Sequence, residues 1–159
     1  MNTSELTKLS IMGKRTKGLK TLDKVTIKLV SAIGGITQCK LDGDEEKLKL
    51  QIGDTFRLIS VAATLNEVKN QIVLNSQSYG YALELQEEIK PEDIPELFSN
   101  LLEIMTTNIG DIAGNLFENK MDTYTGNLEY LINTLNTICI LLNSTVEELW
   151  ENALNEGDK

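Results

Sequence analysis

Apolar residues recur along this chain at spacings of three and four, the signature of helices that bury one face. Leu22, Val25, Leu29, Ile33 and Ile36 trace one such stripe. Ile52, Phe56, Ile59 and Ala63 trace a second, after the acidic LDGDEE, where Asp42 or Asp44 is placed to cap a new helix. A third runs through Leu128, Leu131, Ile132, Leu135, Ile138 and Leu142. Period-two alternation is absent. The pattern predicts an all-α chain with loops near residues 40–44, 75–80, 119–126 and 143–145.

The chain repeats itself at an offset of 76 residues. Ile33-Gly34-Gly35-Ile36 then lies on Ile109-Gly110-Asp111-Ile112, and Ile52, Phe56, Ile59 and Leu65 lie on Leu128, Ile132, Leu135 and Leu141. Apolar agreement between helices is cheap, but glycine inside a helix costs about 1 kcal/mol relative to alanine. A shared Ile-Gly-x-Ile therefore predicts close helix crossings at Gly34 and Gly110. Two units follow: residues 1–78 with a basic N-terminal arm, and residues 79–159, packed on each other as a pseudo-dimer within one compact globule.

Length and charge narrow the chemistry. The 159 residues carry a net charge of −9 and no histidine. Histidine-based acid/base and nucleophilic catalysis and nearly all zinc sites are thereby excluded. An acidic chain repels phosphate backbones, so non-specific nucleic-acid binding is not expected. Charge is uneven, with a net of +4 over residues 1–78 and −13 over residues 79–159. Such asymmetry fits attraction across an internal interface, an anion site in the first half, or solvated faces of differing composition. The basic run Lys14, Arg15, Lys17, Lys20 and Lys24 reads as an arm that touches an acidic partner or a nucleic acid, or that leans on the acidic second half. Cys39 and Cys139 form no metal or redox motif and read as small apolar side chains in a reducing compartment. Trp150 reads as an anchor of the last helix. With no signal-like run and no apolar stretch long enough to span a bilayer, a cytoplasmic protein without membrane contact is expected.

Residues 27–66, IKLVSAIGGITQCKLDGDEEKLKLQIGDTFRLISVAATLN, resemble the MazG-like all-α nucleoside triphosphate pyrophosphohydrolases. The family pattern is a helix with Glu-Glu-x-Gly-Glu-x-x-Glu, a short acidic turn, then a helix with Glu-x-x-Asp. Gly43-Asp44-Glu45-Glu46 fits the turn and Ile52-Gly53-Asp54 the second helix. Residues 104–120 and 128–156 resemble the same unit more loosely, so the likeness covers roughly 100 residues of a tandem copy. In the family these carboxylates hold Mg²⁺, which neutralises the triphosphate and positions water. Here the matching positions hold Ser31, Ala32, Gly35, Gln38, Gln51 and Asp54, then Thr107, Asn108, Asp111, Gly114, Asn127 and Tyr130. Only Asp54 and Asp111 are acidic. One carboxylate per unit cannot complete an octahedral Mg²⁺ site, so a degenerate copy without catalytic residues, cofactor or metal is expected. A composite site joining Asp54 to Asp111 is the catalytic alternative.

The vacated face is basic and small. Lys24, Lys28, Ser31, Gly35 and Gln38 share a helical stripe, and Gln51, Asp54 and Arg57 share a face of the next helix. Lysine and arginine neutralise phosphate without a metal. The sequence thus predicts a nucleotide or nucleotide-derived ligand held without cleavage by Lys24, Lys28, Ser31, Gln38, Gln51, Asp54 and Arg57, with Asn108 and Asp111 from the second unit. Arg57→Ala is expected to weaken binding while folding changes little, with Arg57 and Asp54 otherwise a simple surface pair. The alternatives are an active Mg²⁺-dependent pyrophosphohydrolase, for which alone Mg²⁺ is expected, and a helical protein-interaction module. A homo-oligomer is expected, and the Asn-, Lys- and Ile-rich composition is compatible with a bacteriophage protein that sequesters a nucleotide signal.

Overall fold

A computed structural model describes residues 2–66, 84 and 87–157. Among these, six α-helices form a bundle with no strand: α1 (Thr3–Met12), α2 (Leu22–Asp42), α3 (Glu45–Leu65), α4 (Ile94–Phe117), α5 (Met121–Leu141) and α6 (Val146–Gly157). No helix among the described residues is long and apolar enough to cross a membrane. The expected loop at 75–80 and the boundary at 78/79 lie outside the described residues.

Local chemistry sets the helix ends. Thr21 caps α2 by accepting the Lys24 N–H, and α2 stops where Gly43 turns left-handed at φ 70°. Asp44, one of the two expected caps, accepts the Lys47 N–H at 3.1 Å and opens α3, with Glu45 and Glu46 in its first turn. Asn2 and Glu5 form a reciprocal capping box on α1. The expected loop at 119–126 shrinks to Asn119 and Lys120, because Met121 already starts α5. The spacing Met121, Tyr124, Leu128 continues the buried stripe through residues whose threonines and Gly126 had disguised it.

Helices α2 and α3 pack as one hairpin and α4 and α5 as another, with α2 laid against α4. The two hairpins run antiparallel. Lys40, near the end of α2, sits 4.3 Å over the ring of Phe98 near the start of α4. Thr26, near the start of α2, shares a buried 2.9 Å hydrogen bond with Tyr124 near the start of α5. Asn66 reaches Thr125 Oγ1 at 2.8 Å. Val25, Leu29, Ile36, Ile52, Phe56, Leu128, Leu135 and Ile138 are buried in one continuous core. Helices α3 and α5 start and end 76 residues apart, and the left-handed turn residues Gly43 and Asn119 share that offset.

Helix α6 does not close the second hairpin. It folds back onto α3, and α1 packs on α3 and α6. Trp150 anchors it as expected, stacked on Phe56 with centroids 6.0 Å apart and donating from Nε1 to Ser10 Oγ at 2.6 Å. The basic arm is therefore a packed helix and turn, with Leu6 buried in the core.

The expected crossings at Gly34 and Gly110 are corrected. A Cβ at either position meets nothing within 4 Å, and both residues are exposed. The close approach is at Gly53, where a Cβ would collide with the Leu149 carbonyl oxygen and lie 2.7 Å from Ala153 Cβ. The repeat drew attention to the wrong glycines because the contact joins α3 to α6, an element outside the aligned motif.

Candidate functional site

Outward of the first hairpin, α2, α3 and the turn after α1 enclose a cavity of about 310 Å³. Lys28, Ser31, Ala32 and Gly35 line it from α2, and Gln51, Asp54, Arg57 and Leu58 from α3. Arg15, Thr16 and Leu19 close its third side. Gly35 matters here: a Cβ on it would stand 2.8 Å from Gln51 Oε1, so the missing side chain lets the glutamine amide lie across the α2–α3 seam.

Asp54 is the sole carboxylate among the lining residues, and two arginines hold it. Arg15 Nη1 reaches its Oδ2 at 2.6 Å, and Arg57 Nη1 reaches its Oδ1 at 3.5 Å. Burial pushes the Asp54 carboxyl above its ordinary range, and the charges and hydrogen bonds of Arg15 and Arg57 pull it part of the way back. Arg15 is placed by Thr16, whose buried hydroxyl donates to the Ser10 and Gly13 carbonyls at 2.5 and 3.0 Å. With Arg15 and Lys28 on its open side and Arg57 at its base, the cavity holds three cations against one carboxylate.

Arg57 differs most from the sequence reading. Its side chain is 1% exposed, and Nη1 also donates to the Ala153 carbonyl of α6 at 3.4 Å. Gly157 lies so close that a Cβ there would stand 2.5 Å from Arg57 Nη1, which sets the guanidinium at the C-terminal end of α6, the negative pole of that helix. The surface pair is thus a buried junction of α3 with α6, and the expectation that Arg57→Ala leaves folding nearly unchanged is withdrawn.

A second cavity, of about 540 Å³, lies on the other hairpin, lined by Asn100, Glu103, Ile104, Thr107, Asn108 and Asp111 of α4 and Asn127 and Tyr130 of α5. It sits at the same register. Lys28, Ser31, Ala32, Gly35, Gln51 and Asp54 of the first cavity become Ile104, Thr107, Asn108, Asp111, Asn127 and Tyr130 at an offset of 76. Its charge is opposite, with two carboxylates and no lysine or arginine in the lining.

Of the predicted site residues, Lys28, Ser31, Gln51, Asp54 and Arg57 share the first cavity. Lys24 and Gln38 do not line it, and Gln38 Nε2 donates instead to Asp42 Oδ1 at 2.9 Å on the exposed face of α2. Asn108 and Asp111 line the second cavity, so Asp54 and Asp111 are not gathered into one composite site. Asn108 is buried and its amide donates to the Asn127 carbonyl at 2.9 Å, tying α4 to α5. Arg15 was missed as a site residue. It stands 39 positions before Asp54 in a run of similar basic residues, and no local spacing singles it out. Among the described residues, no three acidic or cysteine side chains come together as a metal-binding group. No protein-family model, no curated protein and no solved structure matches this chain.

Proposed function

We propose that the first cavity binds a nucleotide, or a small molecule derived from one, without cleaving it. The observation that carries this reading is the lining itself. Where the MazG-like resemblance puts metal-binding carboxylates, the cavity has Ser31, Ala32, Gly35 and Gln51, Arg15 and Arg57 hold the lone Asp54, and Lys28 shares the lining. Phosphate oxygens would meet Lys28 and Arg15 on the open side, each charge-assisted bond contributing roughly 1.5–3 kcal/mol. The small residues leave space for a sugar or base, and about 310 Å³ is within the range of small-molecule pockets. Asp54 acts as an internal stand-in for the anion, holding Arg15 in place until a phosphate takes it over.

The same reading treats the two hairpins as diverged copies of one MazG-like unit. Its support is the common 76-residue offset of α3 and α5, of Gly43 and Asn119, and of the cavity linings.

The test is calorimetry of the full chain against nucleoside mono-, di- and triphosphates, with and without Mg²⁺, alongside a pyrophosphate-release assay. Lys28 is exposed and is the clean probe: Lys28→Glu should weaken binding at least tenfold and leave the melting temperature nearly unchanged. Metal-independent binding without pyrophosphate release is expected. Mg²⁺-dependent release that Asp54→Asn abolishes would establish a hydrolase in its place. No saturable heat with any nucleotide would leave the helical surface to a protein partner.

A further inference from the structure

We infer that the ligand of the first cavity is a nucleoside monophosphate, held without a metal ion, its phosphate at the Lys28 end and its base at the Gln51 end. The inference rests on the nucleotide reading above and narrows it to one ligand class. Helix register sets the two ends. Gly35 of α2 lies against Gln51 of α3, where a Cβ would stand 2.8 Å from Gln51 Oε1. Lys28 stands seven residues before Gly35, and Leu58 stands seven after Gln51 beside Arg57. In the α2–α3 hairpin these residues therefore come to the same end of the cavity. Two helical turns, about 10 Å, separate that end from the Gly35–Gln51 contact. Arg15 belongs with the charged end through its 2.6 Å bond to Asp54. The Gln51 end is uncharged.

Charge selects the number of phosphates. Arg15, Lys28 and Arg57 against Asp54 leave a net of +2 among the described lining residues. Arg57, buried against Asp54 and the end of α6, offsets the carboxylate. Arg15 has further N–H groups besides the one on Asp54, and Lys28 is exposed at the mouth. A phosphate monoester carries a charge of about −1.5 to −2 at pH 7, which these two cations balance. Each further phosphoryl group adds negative charge that no lining cation is left to meet. To a Mg²⁺ ion that would neutralise it, the lining offers one carboxylate, already engaged by two arginines. Size points the same way, since about 310 Å³ lies at the lower end of the range for small-molecule pockets. At the far end the Gln51 amide has both donor and acceptor atoms for the edge of a base, and Gly35 and Ala32 leave room for the ring.

The full chain is titrated calorimetrically with AMP, CMP, GMP and UMP in EDTA. The tightest of them is then compared with its own di- and triphosphate and with ribose 5-phosphate, and the series is repeated with MgCl₂ in place of EDTA. One saturable monophosphate site is expected, at least tenfold tighter than the triphosphate and unchanged by Mg²⁺. Lys28→Glu should weaken the monophosphate and ribose 5-phosphate alike, each by at least tenfold. Gln51→Ala should weaken the monophosphate at least threefold and leave ribose 5-phosphate within twofold, with a thermal melt showing each variant folded. A triphosphate bound as tightly as the monophosphate, or binding that requires Mg²⁺, would overturn the inference and leave the nucleotide reading standing. Ribose 5-phosphate bound as tightly as the best monophosphate would overturn it as well, because no base would then be recognised. Absence of saturable heat with every nucleotide would remove the nucleotide reading and this inference together.

Discussion

One substitution, glycine to alanine, should have opposite effects at two mid-helix positions. At Gly34 the added Cβ meets nothing within 4 Å, so only helix propensity changes, a gain of about 0.8–1 kcal/mol. At Gly53 the same gain is set against a collision with the Leu149 carbonyl oxygen, with Leu149 C at 2.9 Å and Ala153 Cβ at 2.7 Å. A backbone carbonyl inside a helix cannot swing aside, so α6 must move away from α3. That movement strains the Phe56–Trp150 stack and the Trp150–Ser10 hydrogen bond. Overpacking of this kind typically costs about 1–3 kcal/mol, and a backbone collision belongs at the upper end. The net for Gly53→Ala is therefore a loss of about 2 kcal/mol. At roughly 2–4 °C per kcal/mol for a chain of this size, Gly34→Ala should raise Tm by about 2–4 °C and Gly53→Ala should lower it by about 4–8 °C. Thermal unfolding followed by circular dichroism, with Trp150 fluorescence reporting on α6, decides the matter. A Gly53→Ala protein as stable as the parent would refute the close α3–α6 approach, and a destabilised Gly34→Ala protein would refute the open surface at Gly34.

Four further outcomes follow from the same contacts. Arg57→Ala should destabilise the fold by about 1–3 kcal/mol in urea unfolding, since it removes the α3–α6 bond to the Ala153 carbonyl and one of the two cations beside Asp54; an unchanged midpoint would mean that the junction is not formed. Because burial raises the Asp54 pKa on folding, the folded state binds the extra proton, so the stability of the parent relative to Asp54→Asn should rise as pH falls through that raised value. A carboxyl-carbon NMR titration placing Asp54 below 3.8 would reverse that sign. Burial also pushes the Cys139 thiol far up, so a thiol reagent should modify the partly exposed Cys39 in the native protein and reach Cys139 only on unfolding; equal rates at both would contradict the packing of α5. Tyr124→Phe should cost about 1–2 kcal/mol by leaving the buried Thr26 hydroxyl without its partner across the two hairpins, measured by chemical unfolding, and a loss near zero would argue against that bond.

Apolar spacing and end chemistry made the helices readable from the sequence, because both act within a few residues of each other. The stripes from Leu22 and Ile52, the Asp44 cap and the loop near residues 40–44 are all local, and the structure has each where the pattern put it. The face shared by Lys28 and Ser31, and the face shared by Gln51, Asp54 and Arg57, were legible for the same reason: helical geometry fixes which side chains point together. What surrounds those faces was decided by tertiary structure. Nothing local says that α6 returns to α3, so the burial of Arg57 and the close approach at Gly53 could not be read from their neighbours. Arg15 reaches Asp54 only because α1 and its turn pack on α3, and Gln38 lies outside the cavity, bonded to Asp42 one helical turn on. The two cavities share six lining positions at an offset of 76 residues. Their opposite charge resides in single residues, such as Lys28 against Ile104 and Gly35 against Asp111, whose consequence appears only when packing gathers each set around one space.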